Sequence, residues 1–267
     1  MWNKILKISV LSLGLLALTS CSAKQGDTNE KTEEVTPTTQ VQENEAIKEE
    51  NNVPEGDYAE NVIIALDAGH GGGYTGASYD GKIEKDLTLQ VATYVKDYLE
   101  ANYTGMEVYL VRDTDAALSS DVAMDLEMRA EYAKNVNADS LVSLHFNASE
   151  NHSQEGAMVL ISHRETVTQA SQDLANSILD ELENLGLKNK GTVTRNSNDM
   201  FDENGNPLDY YAINRHCAKR DIPGIIVEHC FMDHERDQEF IKDDAALKEL
   251  AKADAIGIAN YYGLPNK

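Results

Sequence analysis

Four side chains in this 267-residue chain are of the kinds that hold a metal and move protons, and each stands where an apolar run ends or a helical pattern begins. His70 lies in Leu66-Asp67-Ala68-Gly69-His70-Gly71-Gly72-Gly73, a glycine-rich turn that closes a buried-strand pattern. Glu84 opens the helical pattern that follows, His145 closes Ser143-Leu144-His145-Phe146-Asn147-Ala148, and Glu228 ends Ile225-Ile226-Val227-Glu228. Two imidazoles and one carboxylate form one of the donor sets of hydrolytic zinc sites, with the fourth position left to water. Glu228 suits a general base, because a carboxylate at the end of a buried strand is costly unless it is paired, near a metal or catalytic. The glycines lack the Lys-Ser/Thr of a P-loop and the spacing of a dinucleotide fingerprint, so they do not read as a phosphate cradle. Taken singly, each His or Glu is equally a member of a self-satisfying ion-paired cluster. Four at one edge favour chemistry.

The elements that must position them alternate. Val62 to Leu66 is a continuous apolar run, as in a strand buried on both faces of a parallel sheet. Leu87, Val91, Tyr94, Val95 and Tyr98 recur at helical spacing, with Glu84 and Asp86 as acids in the first turn. Met106 to Val111, Ser140 to Phe146, Gly156 to Ser162 and Ile225 to His229 read as further strands. Met124 to Asn137, Val167 to Leu185 closed by Gly186, Tyr210 to Arg220, and Leu247 to Tyr262 read as helices. This alternation predicts an α/β sandwich, in which ligands bind at the carboxyl ends of the strands. Asn196 to Asp209 is a polar stretch lengthening the approach to Tyr210.

With Asp67 to Gly72, Glu84-Lys85-Asp86-Leu87, Val111 to Asp115, Arg129, Ala138-Asp139, Ser143 to Ala148 and Pro223 to Glu228 in this order, the chain resembles the zinc-dependent N-acetylmuramoyl-L-alanine amidases of the cell-wall hydrolase type, over Val62 to Tyr262. The resemblance implies a single three-layer α/β domain around a mixed, mostly parallel sheet of about six strands. It also implies Zn2+ on His70, Glu84 and His145, Glu228 as catalytic glutamate, and cleavage of the amide joining muramic acid to L-alanine in peptidoglycan. The alternatives are a zinc peptidase cutting the stem peptide and a non-catalytic wall-binding lipoprotein. His229-Cys230 and the polar stretch depart from the common pattern at the rim, where they bear on substrate preference. No long helical insertion follows His145, which implies an open groove.

Around these four, Asp67 either orients His70 or caps its turn. Arg195, Asn147 and His229 are weaker groove candidates, with His229 favoured as structural because alternation turns it away from Glu228. Arg129 and Asp139 are expected to serve fold geometry through ion pairing near helix ends. His152, His163, His216 and His234 lack a partner pattern and read as surface or capping residues. Cys217 and Cys230 read as buried free thiols.

The amino terminus supplies an address. Two lysines precede a short apolar stretch, and Leu18-Thr19-Ser20-Cys21 resembles a lipoprotein box, so residues 1–20 are expected to be a cleaved signal and Cys21 a lipidated anchor to the outer face of the cell membrane. From Ser22 to Glu60 the chain holds eleven acids and three lysines with almost no large apolar residue, the composition of a disordered spacer ahead of the catalytic domain at 61–267. The formal net charge of −23 sets nucleic acid aside, since such binding draws its affinity from Lys and Arg. Peptidoglycan is the expected partner of a chain acting as a monomer.

Overall fold

The structure is a computed structural model that describes residues 61–267; the expected signal, Cys21 and the acidic spacer lie outside the described residues. The chain runs through β1 (Val62–Ala68), a small hairpin of β2 (Ser78–Tyr79) and β3 (Lys82–Ile83), α1 (Glu84–Asn102), β4 (Met106–Leu110), α2 (Val122–Asn135), β5 (Ser140–Asn147) and β6 (Ala157–Ile161). It continues through α3 (Glu165–Leu185), β7 (Asn189–Val193), a second hairpin of β8 (Asn196–Phe201) and β9 (Pro207–Asp209), α4 (Ala212–Ala218), β10 (Gly224–Phe231), a 3-10 turn at Asp237–Ile241 and α5 (Asp244–Tyr262).

Six strands form one sheet in the order β4-β1-β5-β10-β6-β7. β10 meets β6 antiparallel, while the other neighbours pair in parallel. The apolar runs follow from this placement, because strands covered by helices on both faces must be apolar at every position. Ile64, Leu66, Val142, Leu144, Ile225 and Val227 pack with α1, α3 and α5, whereas Ala65, Leu141, Leu160 and Ile226 pack with α2 and α4. Strand alternation therefore aims Asp67, Ser143, His145 and Glu228 toward the α2 and α4 side.

Local chemistry sets the helix ends. Asp121 and Asp243 cap α2 and α5 by accepting from the Met124 and Ala246 amides. Gly186 ends α3 in a left-handed conformation, at the position read from the sequence. β7 and both hairpins were not read as strands. β7 is polar and half-buried at the sheet edge, so it carries no apolar run. The polar stretch Asn196 to Asp209 is a hairpin, turned by Asp202, whose carboxylate accepts from the Asn204 and Asn206 amides. The tail after α5 returns to the α1–β4 turn, where the Thr104 amide donates to Pro265 O and the Lys267 amide to Asn102 O, each at 2.9 Å. The Val62 amide donates to Gly105 O in the same turn. Both ends of the folded unit thus lie at the amino edge of the sheet. Among the described residues, no helix is long and apolar enough to cross a membrane.

Candidate metal centre and active-site cleft

Parallel pairing of β1, β5 and β10 brings three strand ends to one edge. The register sets Glu228 beside His145 and Asp67 beside Ser143, so residues 83 positions apart in sequence share one face at one depth. β1 ends in the turn that presents His70, and the β2–β3 hairpin returns the chain so that Glu84, the first residue of α1, lies over the same edge. Glu84 Oε1 is 3.1 Å from His70 Nε2 and 3.0 Å from His145 Nδ1. It also accepts from the Phe146 amide at 3.0 Å, while Oε2 accepts from the Ala77 amide at 2.7 Å. The two imidazole rings stand edge to face, 4.8 Å between centroids.

This arrangement fits a divalent cation. Ligand bonds of about 2.0–2.2 Å in tetrahedral geometry separate donors by roughly 3.3 Å, close to the spacing found here. Burial pushes the Glu84 carboxyl upward, but the hydrogen bonds from His145 and His70 outweigh it and hold the group well below the usual carboxylate range. Burial opposes charge on His145, yet its bond to Glu84 and the charge of Glu228 raise its pKa. The pocket is therefore built to stabilise positive charge where these donors meet, and a metal competes with protons for such nitrogens. The His70 and His145 side chains keep 28% and 17% of their surface exposed, so the centre is open to small molecules.

Glu228 shares a cleft of about 400 Å³ with the three donors. Leu160, Ile226, Ile213 and Tyr211 supply its apolar walls, and Asn147 lines it as well. Glu228 Oε2 is buried and, among the described residues, has no hydrogen-bond partner. Burial pushes its pKa up to about 7, with His145 pulling it down and Glu84 pushing it up.

The turn that presents His70 is held by two arginines. Arg129 donates to Ala68 O at 3.0 Å and to His70 O at 2.6 Å. Arg112 donates to Ala68 O at 2.7 Å and to Gly69 O at 3.0 Å. His70 itself is left-handed, with φ 63°, a conformation costing about 1–2 kcal/mol that persists where its surroundings over-determine it. Gly69 and Gly76 are required by proximity: a Cβ on Gly69 would stand 2.3 Å from the His145 ring, and one on Gly76 2.3 Å from Glu84 Oε2.

Around these residues some sequence expectations change, while those for His229, Cys217 and Cys230 hold. Asp67 neither orients His70 directly nor caps its turn; it accepts from Arg129 at 2.7 Å and from Ser143 Oγ at 2.6 Å. Its pKa is lowered because Arg129 and Ser143 outweigh complete burial. Arg129 lies within α2 and not near its end, also pairing with Asp125 one turn earlier. Among the described residues Asp139 makes no ion pair; its carboxylate accepts from the Ile63 amide. His152 and His163 do have partners, the carboxylates of Asp233 and Asp209, each at 2.7 Å. His229 is buried on the α5 side, bonded to Asp254 at 2.7 Å and to His145 O at 2.9 Å. Arg195 lies outside the cleft lining, over the Tyr210 ring. Cys217 and Cys230 are buried free thiols. Sequence reasoning passed over the positioning role of Arg112, although an arginine closing an apolar strand in Val111-Arg112 was a usable signal.

An α/β sandwich with a His-Glu-His donor cluster and a buried carboxylate at its carboxyl edge defines a hydrolase-like centre. The model of the N-acetylmuramoyl-L-alanine amidase family matches residues 64–260, and the chain belongs to that family. Its activity is that of a peptidoglycan amidase. It is similar to the endolysin of Bacillus phage SPP1, with 29% identity over 77% of this chain and 68% of that protein. Similarity to the N-acetylmuramoyl-L-alanine amidase CwlM of Bacillus licheniformis is also 29%, over 76% of this chain and 70% of the relative. Among solved structures, the CwlD amidase from Clostridioides difficile, in complex with the GerS lipoprotein, matches with a TM-score of 0.61 at 26% identity, over 76% of this chain and 99% of that one.

Proposed function

We propose that the chain hydrolyses the muramoyl–L-alanine amide of peptidoglycan as a zinc enzyme, with His70, Glu84 and His145 as ligands and Glu228 as general base. The observation that carries this reading is the convergence of three donors on one point beside a buried carboxylate without a partner. Bound there, zinc supplies Lewis acidity toward the amide carbonyl and lowers the pKa of water. Glu228 accepts the proton of the attacking water and returns it to the departing nitrogen, a task suited to a carboxyl held up at about 7. Arg112 and Arg129 fix the His70 turn so that the ligand does not wander. The proposal extends to an exported monomer held at the outer membrane face through Cys21, which the Leu18 to Cys21 box supports.

The pair of glutamates separates ligand from base. Glu84→Gln should lose most of its zinc, and activity should fall with it. Glu228→Gln should keep zinc and the fold while turnover drops by about 10²–10⁴-fold. Zinc content measured beside release of stem peptides from purified peptidoglycan checks both, and loss of zinc from Glu228→Gln would make Glu228 a ligand.

A further inference from the structure

Next to Tyr211, a wall of the cleft, a guanidinium is stacked on a tyrosine without a protein acceptor among the described residues. Arg112, Arg129, Arg215, Arg220 and Arg236 donate to protein carbonyls or carboxylates, whereas among the described residues the guanidinium groups of Arg164 and Arg195 donate to none; Arg164 lines a separate hollow with His163 and Asp202. Arg195 is solvent-exposed, and among the described residues its guanidinium has only the ring of Tyr210 beneath it, 3.6 Å from the ring centroid. The stack is built in: the Tyr210 amide donates to Arg195 O at 2.8 Å, extending the β8–β9 ladder so that the two residues face each other across it. Arg215 fixes the other side by donating to the carbonyls of Asp209 and Tyr210. Tyr210 keeps 44% of its surface exposed and packs edge to face on Tyr211, which is a wall of the cleft.

A guanidinium seated on an aromatic ring and bonded to no protein acceptor keeps its fork of N–H donors free for a ligand. That fork matches a carboxylate in a bidentate geometry. The acidic and basic side chains lining the cleft are two glutamates and two histidines, and the whole chain carries −23. A substrate bearing carboxylates is repelled by such a field unless a local cation receives it. The stem peptide of peptidoglycan is such a substrate, and each residue beyond the scissile amide adds about 3.5 Å of reach.

The geometry points to Arg195, carried on Tyr210, as a binding residue for a free carboxylate of the stem peptide one or two residues beyond the scissile amide. This rests on the proposed amidase chemistry and adds a substrate preference to it: acidic stems over amidated ones. The bond is made in the ground state as well as the transition state, so its loss raises KM and leaves kcat in place.

The test compares two soluble muramoyl-peptides that differ only in a carboxylate or a carboxamide at the second stem residue. The zinc-loaded wild-type protein should show a KM about tenfold lower for the carboxylate, with similar kcat for both, as expected for one charge-assisted bidentate contact. Arg195→Gln should erase that difference, Arg195→Lys should keep part of it, and Tyr210→Leu, which removes the platform, should weaken it. A stack that merely braces the hairpin would lower the melting temperature in these variants and leave the KM ratio at its wild-type value, which overturns the inference. Cleavage of both peptides by wild-type protein with equal KM overturns it alone. No cleavage of either overturns the proposed chemistry and the inference together.

Discussion

Glu228 differs from Glu84, the other acid of the cleft, in having no donor on Oε2 among the described residues, and the consequences reach beyond turnover. Its folded-state pKa of about 7 lies above the ordinary 4.5, because burial and Glu84 outweigh His145 and His229. Between these values the folded protein holds a proton that the unfolded chain has released, so stability falls as pH rises through that window, by about 3 kcal/mol at most. Glu228→Gln removes this dependence. In chelator-treated protein, the variant should melt with wild type at pH 4.5 and above it at pH 8; a constant difference across that range would contradict the account. The convergence of His70, Glu84, His145 and Glu228 on one edge was legible because residue type and position at an element end pointed to the same place. Asp67 and Arg129 were legible only as polar residues, since their task depends on where the carbonyls of Ala68 and His70 point, and backbone direction in a turn has no signature in side-chain pattern.

Among the elements, the β1–α1 connection carries the tightest constraints. Its glycines do not form a phosphate cradle; at Gly69 the backbone passes so close to His145 that no Cβ fits. Gly69→Ala must push the ring away from Glu84. We expect zinc affinity to fall by about 10–100-fold, as when the supporting groups of a metal site are disturbed, with little change in far-UV circular dichroism. Zinc titration against a competing chelator measures it, and retained affinity would show that the turn can yield. The five apolar strands and the long helices were readable because burial on both faces, or on one helical stripe, leaves a period in the sequence. β7 and the two hairpins left none: their residues are polar or half-buried, and they are strands because of partners distant in sequence.

For the whole molecule, acidity and address act together. Net charge of −23 disfavours adhesion to anionic surfaces, so the proposed retention at a membrane would rest on Cys21. Cys21→Ala should leave the domain folded and active while moving it from the membrane fraction to the medium or to an uncleaved precursor. Fractionation with a lipid label reads this, and a variant that stays in the membrane at mature size would end the lipoprotein assignment. The clasp of the carboxyl-terminal tail on the α1–β4 turn bears on how the enzyme can be mounted. Residues 61 and 267 leave the folded unit on the side away from the cleft. A bead, a fusion partner or a surface coupled at either of these points leaves the catalytic face turned outward, so one enzyme can be displayed from both termini with the same access to its substrate.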